Sequence, residues 1–237
     1  MAYIAAMDIF ILCIETSGPQ CTVAIGHNGD CISEVQSSGQ WQHSQYLTIY
    51  IQEALVEAKI SIHQLSAVAI SGGPGSYTGL RVGAASAKGI CYAKEIPLIS
   101  VDTLKIIAYP QVDRLDDKHK VILSTIDARR DEVYYNIYNE QLESQVKTSS
   151  HIVTEDSFSD VITEGVIICG DGADKIQKIM SSSLSNDSII LSTLPAAINM
   201  AQLSYESYQE KKYEDIAYYN PFYMKPPNIT TRKKPLF

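Results

Sequence analysis

Five of the chain's thirteen glycines fall in one stretch, Ser71-Gly-Gly-Pro-Gly-Ser-Tyr-Thr-Gly-Leu-Arg-Val-Gly83. A chain that gathers its glycines in this way needs backbone freedom or close approach there more than anywhere else. The stretch follows a short apolar run, Val68-Ala69-Ile70, and precedes a helical pattern from about Thr78 to Ala93. It therefore predicts a sharp strand-to-helix turn in an α/β fold. Ser76 or Thr78 is placed to cap the helix, and the free amides of a helix start favour an anion. The turn is thus a candidate phosphate-approach loop, with Gly73, Pro74, Gly75 and Ser76 nearest any nucleotide. The competing reading is a tightly packed turn with no ligand. It is not a P-loop, because no Gly-Lys-Ser/Thr follows, and its spacing does not match a dinucleotide fingerprint.

Patterning elsewhere supports the same class. Ile9–Glu15 predicts a buried strand, Cys21–Gly26 a second and Cys31–Gln36 a third, with His27-Asn28-Gly29-Asp30 as the hairpin turn. From Gln42 to Ala58, apolar residues at Leu47, Ile51, Ala54, Leu55 and Ala58 repeat at helical spacing. A strand at Leu98–Val101 and a helix over Asp102–Ala108 complete a βββαβαβ order with a mixed sheet. Charged Pro110–Lys120 marks a boundary. Beyond it, Val121–Ala128, Glu132–Tyr138 and Val166–Gly170 predict strands, and Asp174–Ser181 and Ala196–Gln209 predict helices. The expected organisation is a domain over 1–109, a smaller one over 110–212 whose last helix packs back on the first, and an extended tail over 213–237. The tail should pack through Tyr218, Tyr219 and Tyr223. The two halves show no convincing sequence repeat.

Charge narrows the partners. The chain carries a net −8, while its last thirteen residues hold Lys225, Arg232, Lys233, Lys234 and no acid, so the rest stands at −12 (−8 less the tail's +4). Such a body repels a phosphate backbone, so RNA would be held mainly by another protein. The five cysteines are scattered without a C-x-x-C pair, which predicts reduced, mostly buried side chains and neither disulfides nor zinc. The apolar run Ile9–Ile14 is too short for a membrane helix, which takes about 20 residues. With no export signal legible, a cytoplasmic protein is expected. Met7 competes with Met1 as the start.

Few residues promise chemistry. Glu15-Thr16-Ser17 ends the first strand, but one carboxylate makes a weak metal site, and only the fold can tell whether Asp102 and Asp127 join it. His43 has Leu47 four residues on, not a second histidine, so no metal ligand set is expected. Ser44, Ser71 and Ser76 lack the glycine-flanked elbow of a nucleophile. Asp127-Ala-Arg-Arg-Asp-Glu132 is either a recognition hairpin or a solvated turn. The helix after the glycine turn carries Gly83, Ala84, Ala85, Ser86, Ala87 and Gly89, small enough for a second helix to approach closely; packing on the sheet is the alternative.

Several segments together resemble the bacterial TsaB (YeaZ) family: Ile11-Leu-Cys-Ile-Glu-Thr-Ser17, His43-Ser-Gln45, Gly73 to Gly83, Ala87-Lys-Gly-Ile90, Val101-Asp-Thr-Leu104, and Ile126-Asp-Ala-Arg129 through Glu132-Val-Tyr134. The resemblance implies an actin-like, Hsp70-like ATPase (ASKHA, RNase H-like) fold of two related α/β domains. It also implies a non-catalytic subunit that binds a TsaD-like catalytic paralogue, with a TsaE-like ATPase, for threonylcarbamoyl transfer to the adenosine beside the anticodon. The partner surface carries over onto Gln42–Ala58 and Thr78–Ala93, with His43, Leu47, Ile51, Tyr77, Thr78, Arg81, Ala84, Ala85, Ala87 and Lys88 as interface residues. Relatives commonly have Asp where Glu15 stands, which weakens an independent ATP site. The chain is expected to hold no cofactor of its own; a nucleotide at the junction with the partner stays open. Alone, it should form a homodimer. The alternatives are a small-molecule kinase of the same fold, a peptidase acting on the partner, and direct tRNA binding through the basic tail.

Overall fold

The computed structural model describes residues 8–37, 39, 43–162 and 165–225; the Met1 or Met7 start, Gln42 and the basic Arg232, Lys233 and Lys234 lie outside them. Strand β1 (Phe10–Glu15) sends Ile11 and Cys13 to one face and Leu12 and Ile14 to the other. That is the pattern of a strand buried on both sides. Strands β2 (Thr22–His27) and β3 (Asp30–Gln36) complete an antiparallel meander. Asn28 and Gly29 close the β2–β3 hairpin with φ of 52° and 99°, the paired positive angles of a tight turn. Helix α1 (His43–Glu57) follows, then β4 (Leu65–Ser71), longer at both ends than its apolar centre suggests, and α2 (Tyr77–Lys94). Strand β5 (Leu98–Val101) completes a sheet of order β3-β2-β1-β4-β5, with β4 and β5 parallel to β1.

Helix α3 (Thr103–Ala108) is shared between the two halves: Ile106 lies in the first sheet's core, while Leu104, Ile107 and Ala108 pack with Ile122, Ile126 and Ile167 of the second. The second sheet is made of β6 (Ile122–Asp127), β7 (Glu132–Tyr138), β8 (Ser149–Ile152), β9 (Ile167–Cys169) and β10 (Ile189–Leu191). Its order is β10-β9-β6-β7-β8, with β6-β7-β8 antiparallel and β9 and β10 parallel to β6. Strand for strand this repeats the first sheet. The edge strands β8 and β10 and the short helix α4 (Ser159–Ile162) were not foreseen; α5 (Ala173–Ile179) was, starting one residue and ending two residues before the expected bounds.

The last expected helix divides into a 3-10 turn at Ala197–Asn199 and α6 (Met200–Gln209). Its Met200 and Leu203 cover the face of the first sheet opposite α1 and α2, beside Ile11, Cys13 and Ile99. After α6 the tail returns across the first sheet, where Glu214 forms an isolated bridge to Leu98. Tyr219 is buried and Tyr223 packs on Tyr77, but Tyr218, expected to pack, is 82% exposed.

Candidate functional site

β4 delivers the chain into the glycine-rich turn, and protein fills the space beside the glycines. The Gly72 carbonyl accepts the Phe222 amide at 2.7 Å. Gly73 has φ of 101° and abuts the Phe222 carbonyl, and a Cβ at Gly75 would stand 2.7 Å from that of Ser17. The first position needs left-handed backbone and the second needs close approach, which is why both are glycine. The Ser76 amide donates to the Ser17 carbonyl at 2.7 Å, while Ser76 Oγ caps α2 by accepting the Gly79 amide at 3.2 Å. Thr16 Oγ1 donates to the Gly79 carbonyl at 2.8 Å and packs on Gly83. Gly73 and Pro74 are buried, Gly75 and Ser76 half-buried. In this conformation the turn is packed against Ser17 and Phe222.

The tail is the part of the site that the residues did not announce. Tyr219 hydroxyl and Ser100 Oγ lie 3.0 Å apart, and Lys88 Nζ donates to the Ala217 and Tyr219 carbonyls at 3.4 and 3.2 Å. Lys225 pairs with Glu132 on the second sheet. Prolines mark the tail as irregular, but no periodicity registers it on the turn. An open cleft of about 400 Å³ beside it is lined by Ser100, Glu214, Asp215, Tyr218 and Phe222 among others, with no cation among the described residues of its walls.

Glu15 is completely buried and turned onto its own loop. Its Oε1 accepts the Ser17 amide at 2.5 Å and the Ser17 hydroxyl at 2.6 Å, while Oε2 has no partner. Burial pushes the carboxyl above its ordinary range, against the opposing pull of the Ser17 hydrogen bonds. The other two candidate acids are engaged separately. Asp102 caps α3 by accepting the Lys105 amide at 3.1 Å and takes the Tyr138 hydroxyl at 3.3 Å; Asp127 pairs with Lys175 at 2.7 Å. Among the described residues, no three His, Cys, Asp or Glu side chains converge as a metal would require.

The nucleophile candidates fare no better. Ser71 Oγ accepts the Thr16 amide at 3.4 Å, Ser76 is the α2 cap, and the Ser44 side chain lies outside what is described. Among the described residues, the serine that meets a histidine is Ser157, 2.8 Å from His151 Nε2, but it is buried and accepts the Thr154 amide. All five cysteines are free thiols, four of them buried; burial pushes Cys13, Cys21 and Cys169 up to about 12.

The helices α1 and α2 lie side by side on one face of the first sheet. Leu47, Ile51, Ala84 and Ala87 are buried in the chain's own core with Leu12, Ile14 and Val23. The small residues at 84 and 87 let α2 settle on the sheet, and a partner cannot reach them without repacking. Lys88 holds the tail. The outward face of α2 is instead Tyr77, Thr78, Arg81, Ala85, Gly89 and Tyr92, with Arg81 Nη1 donating to the Tyr77 hydroxyl at 3.0 Å. On α1 the outward apolar residues are Ile49 and Val56, seven apart. The His43 side chain lies outside what is described.

A duplicated five-stranded α/β unit joined through one shared helix is an actin-like fold of the Hsp70-like ATPase class. The solved structure of YeaZ from Pseudomonas aeruginosa has it: TM-score 0.77 at 21% identity, covering 91% of this chain and 99% of that one. The family model for TsaD, tRNA N6-adenosine threonylcarbamoyltransferase, matches residues 33–221. The tRNA threonylcarbamoyladenosine biosynthesis protein TsaB of Buchnera aphidicola (from Schizaphis graminum) is 30% identical over 78% of this chain and 89% of its own. The TsaB protein of Haemophilus influenzae is 24% identical over 96% and 97%. The chain belongs to this family, in its TsaB (YeaZ) branch. No described helix is long and apolar enough to cross a membrane.

Proposed function

We propose that this chain serves tRNA threonylcarbamoyladenosine biosynthesis as a binding subunit without a reaction centre of its own. It holds a TsaD-like catalytic subunit through the outward faces of α1 and α2, and a TsaE-like ATPase joins that assembly. The observation that carries this reading is Gly89. It lies inside α2, exposed, where an added Cβ would meet nothing within 4 Å. Glycine costs a helix interior about 1 kcal/mol relative to alanine, and no packing among the described residues asks for it. A helix pressed on from outside does. On the same helix Ala85 and Tyr92 are exposed, and on α1 Ile49 and Val56 are exposed apolar residues as well.

The packing of the two candidate sites supports the same reading. The buried acid at the end of β1 is closed on Ser17, and the glycine turn is packed by Ser17 and Phe222. Any nucleotide is then held at the junction with the partner, near Tyr77 and Arg81, rather than by this chain alone. Binding favours the partner's active state only as far as it prefers that state. Without the partner, the same faces pair two copies. tRNA is held mainly by the assembly.

The test is size-exclusion chromatography of the chain with the TsaD of its organism, and modification of unmodified tRNA. Ala85→Arg with Gly89→Leu should abolish the joint peak and the modification while the thermal transition persists. An intact joint peak would overturn the reading, and so would ATP binding by the isolated chain in calorimetry.

A further inference from the structure

The tail is held unevenly along its length. From Asp215 to Phe222 it is fixed to the first half by many bonds. Asp215 Oδ1 accepts the Ala217 amide at 2.8 Å, and the Asp215 carbonyl accepts the Tyr219 amide at 2.7 Å. The Tyr219 ring is buried with its hydroxyl beside Ser100, and Lys88 donates to the carbonyls on either side of Tyr218. Pro221 is buried, and the Phe222 amide closes on the Gly72 carbonyl. Beyond Phe222 the holding changes. Among the described residues, no backbone bond joins Tyr223, Met224 or Lys225 to the rest of the chain. Two side-chain contacts remain: the Tyr223 ring, tilted on that of Tyr77 with centroids 4.8 Å apart, and the pair of half-exposed Lys225 with Glu132 on β7. A surface ion pair of this kind holds little.

That loosely held end lies on the first turn of the outward α2 face. Tyr77 opens the helix, and its ring is shared between Tyr223 and Arg81, whose guanidinium carbon stands 5.5 Å from the ring centroid and whose Nη1 donates to the Tyr77 hydroxyl. Tyr77 and Arg81 are thus both engaged within the chain. The anchor at Phe222 is one residue from Tyr223, so a ring that lifts stays close by and returns at high effective concentration.

We propose that Tyr223–Lys225 is a flap that closes the start of the α2 face against the partner and lifts when the partner docks. The inference rests on the binding-subunit reading above and adds the regulation of that surface. A closed flap lowers the apparent affinity by the fraction of chains that stand open. Two latches set that fraction from the two halves of the molecule, the ring contact on α2 and the ion pair on β7.

The test is calorimetric titration of the full chain with the TsaD-like subunit. Tyr223→Ser with Lys225→Ser removes both latches and leaves every anchor up to Phe222. The thermal midpoint of the isolated chain should hold, and the partner should bind about 5-fold more tightly, the share that an aromatic pair contributes. Glu132→Gln loosens the flap from the second sheet, away from the α2 face. It should tighten binding in the same direction by a smaller factor, and the advantage should fade as salt screens the parent's own ion pair. Weaker binding by the Tyr223→Ser, Lys225→Ser variant overturns the proposal and makes the flap part of the docking surface. Equal affinity of the parent and both variants overturns it as well, while leaving the binding-subunit reading standing. No binding by any of the three sinks that reading and the flap with it, whereas binding by a variant where the parent shows none is the expected effect in its strongest form.

Discussion

Glu15 and His119 are titratable groups whose surroundings prefer the protonated form, for opposite reasons. Burial raises the Glu15 carboxyl above its ordinary range. The folded state therefore takes up that proton more readily than the unfolded one, and stability falls as pH rises through the unfolded value toward the folded one. Glu15→Gln carries no charge at any pH. The variant should melt higher than the parent at about pH 8, with the gain shrinking to nothing by about pH 4, as followed by circular dichroism. His119 has an acceptor at each ring nitrogen: the Asp187 carbonyl 2.6 Å from Nε2 and Asp116 2.8 Å from Nδ1. The Asp187 carbonyl, then Asp116, raise its pKa, because both contacts are satisfied only by the imidazolium. That stabilisation is complete below the unfolded value and is lost as pH rises through the folded one. His119→Gln should flatten the fall of the urea midpoint with rising pH on the alkaline side of the unfolded histidine value. Neither environment was legible beforehand, since Ser17 closes on Glu15 through a turn and Asp187 reaches His119 from 68 residues away.

At the scale of elements, α2 was legible as a helix but not in its orientation. Small residues occur on nearly every face, so periodicity could not say which ones turn inward. The sheet decides: Gly83, Ala84, Ala87 and Cys91 go in, and Ala85 and Gly89 stay out. The inward set is explained by close approach to Thr16 and the β-sheet core, the outward set by nothing among the described residues. Gly89→Ala separates the two. In the isolated chain it should raise stability by up to about 1 kcal/mol, the difference in helix propensity, read as a higher denaturant midpoint with unchanged m-value. Gly83→Ala should do the reverse, because its Cβ would run into Thr16 Oγ1. Strands β8 and β10 escaped notice for another reason: four and three residues long, at the sheet edges and only partly buried, they carry too little alternation to register. The β4 and β5 cores and the Asn28-Gly29 turn, whose patterns are local, were read correctly.

The two sheets share one strand order although no repeat is visible between their sequences, because topology constrains only where apolar positions fall and not which residues fill them. The halves are joined by α3 between their cores and by a tail that begins on β5, crosses the glycine turn and reaches β7 where Lys225 pairs with Glu132. Removal of the chain after Tyr213 tests whether that tail is structure or cover. Tyr219 would be lost from the core, a change that costs about 3 kcal/mol for a buried aromatic side chain, together with the Leu98–Glu214 bridge and the bond from Phe222 to Gly72. The truncated chain should therefore unfold at clearly lower denaturant. It should still fail to bind ATP, because Ser17, on β1's own turn, fills the other side of the glycine turn whether or not the tail is present. Calorimetric ATP binding that appears only after truncation would instead make the tail a cover over a working phosphate site, and this chain more than a binding subunit.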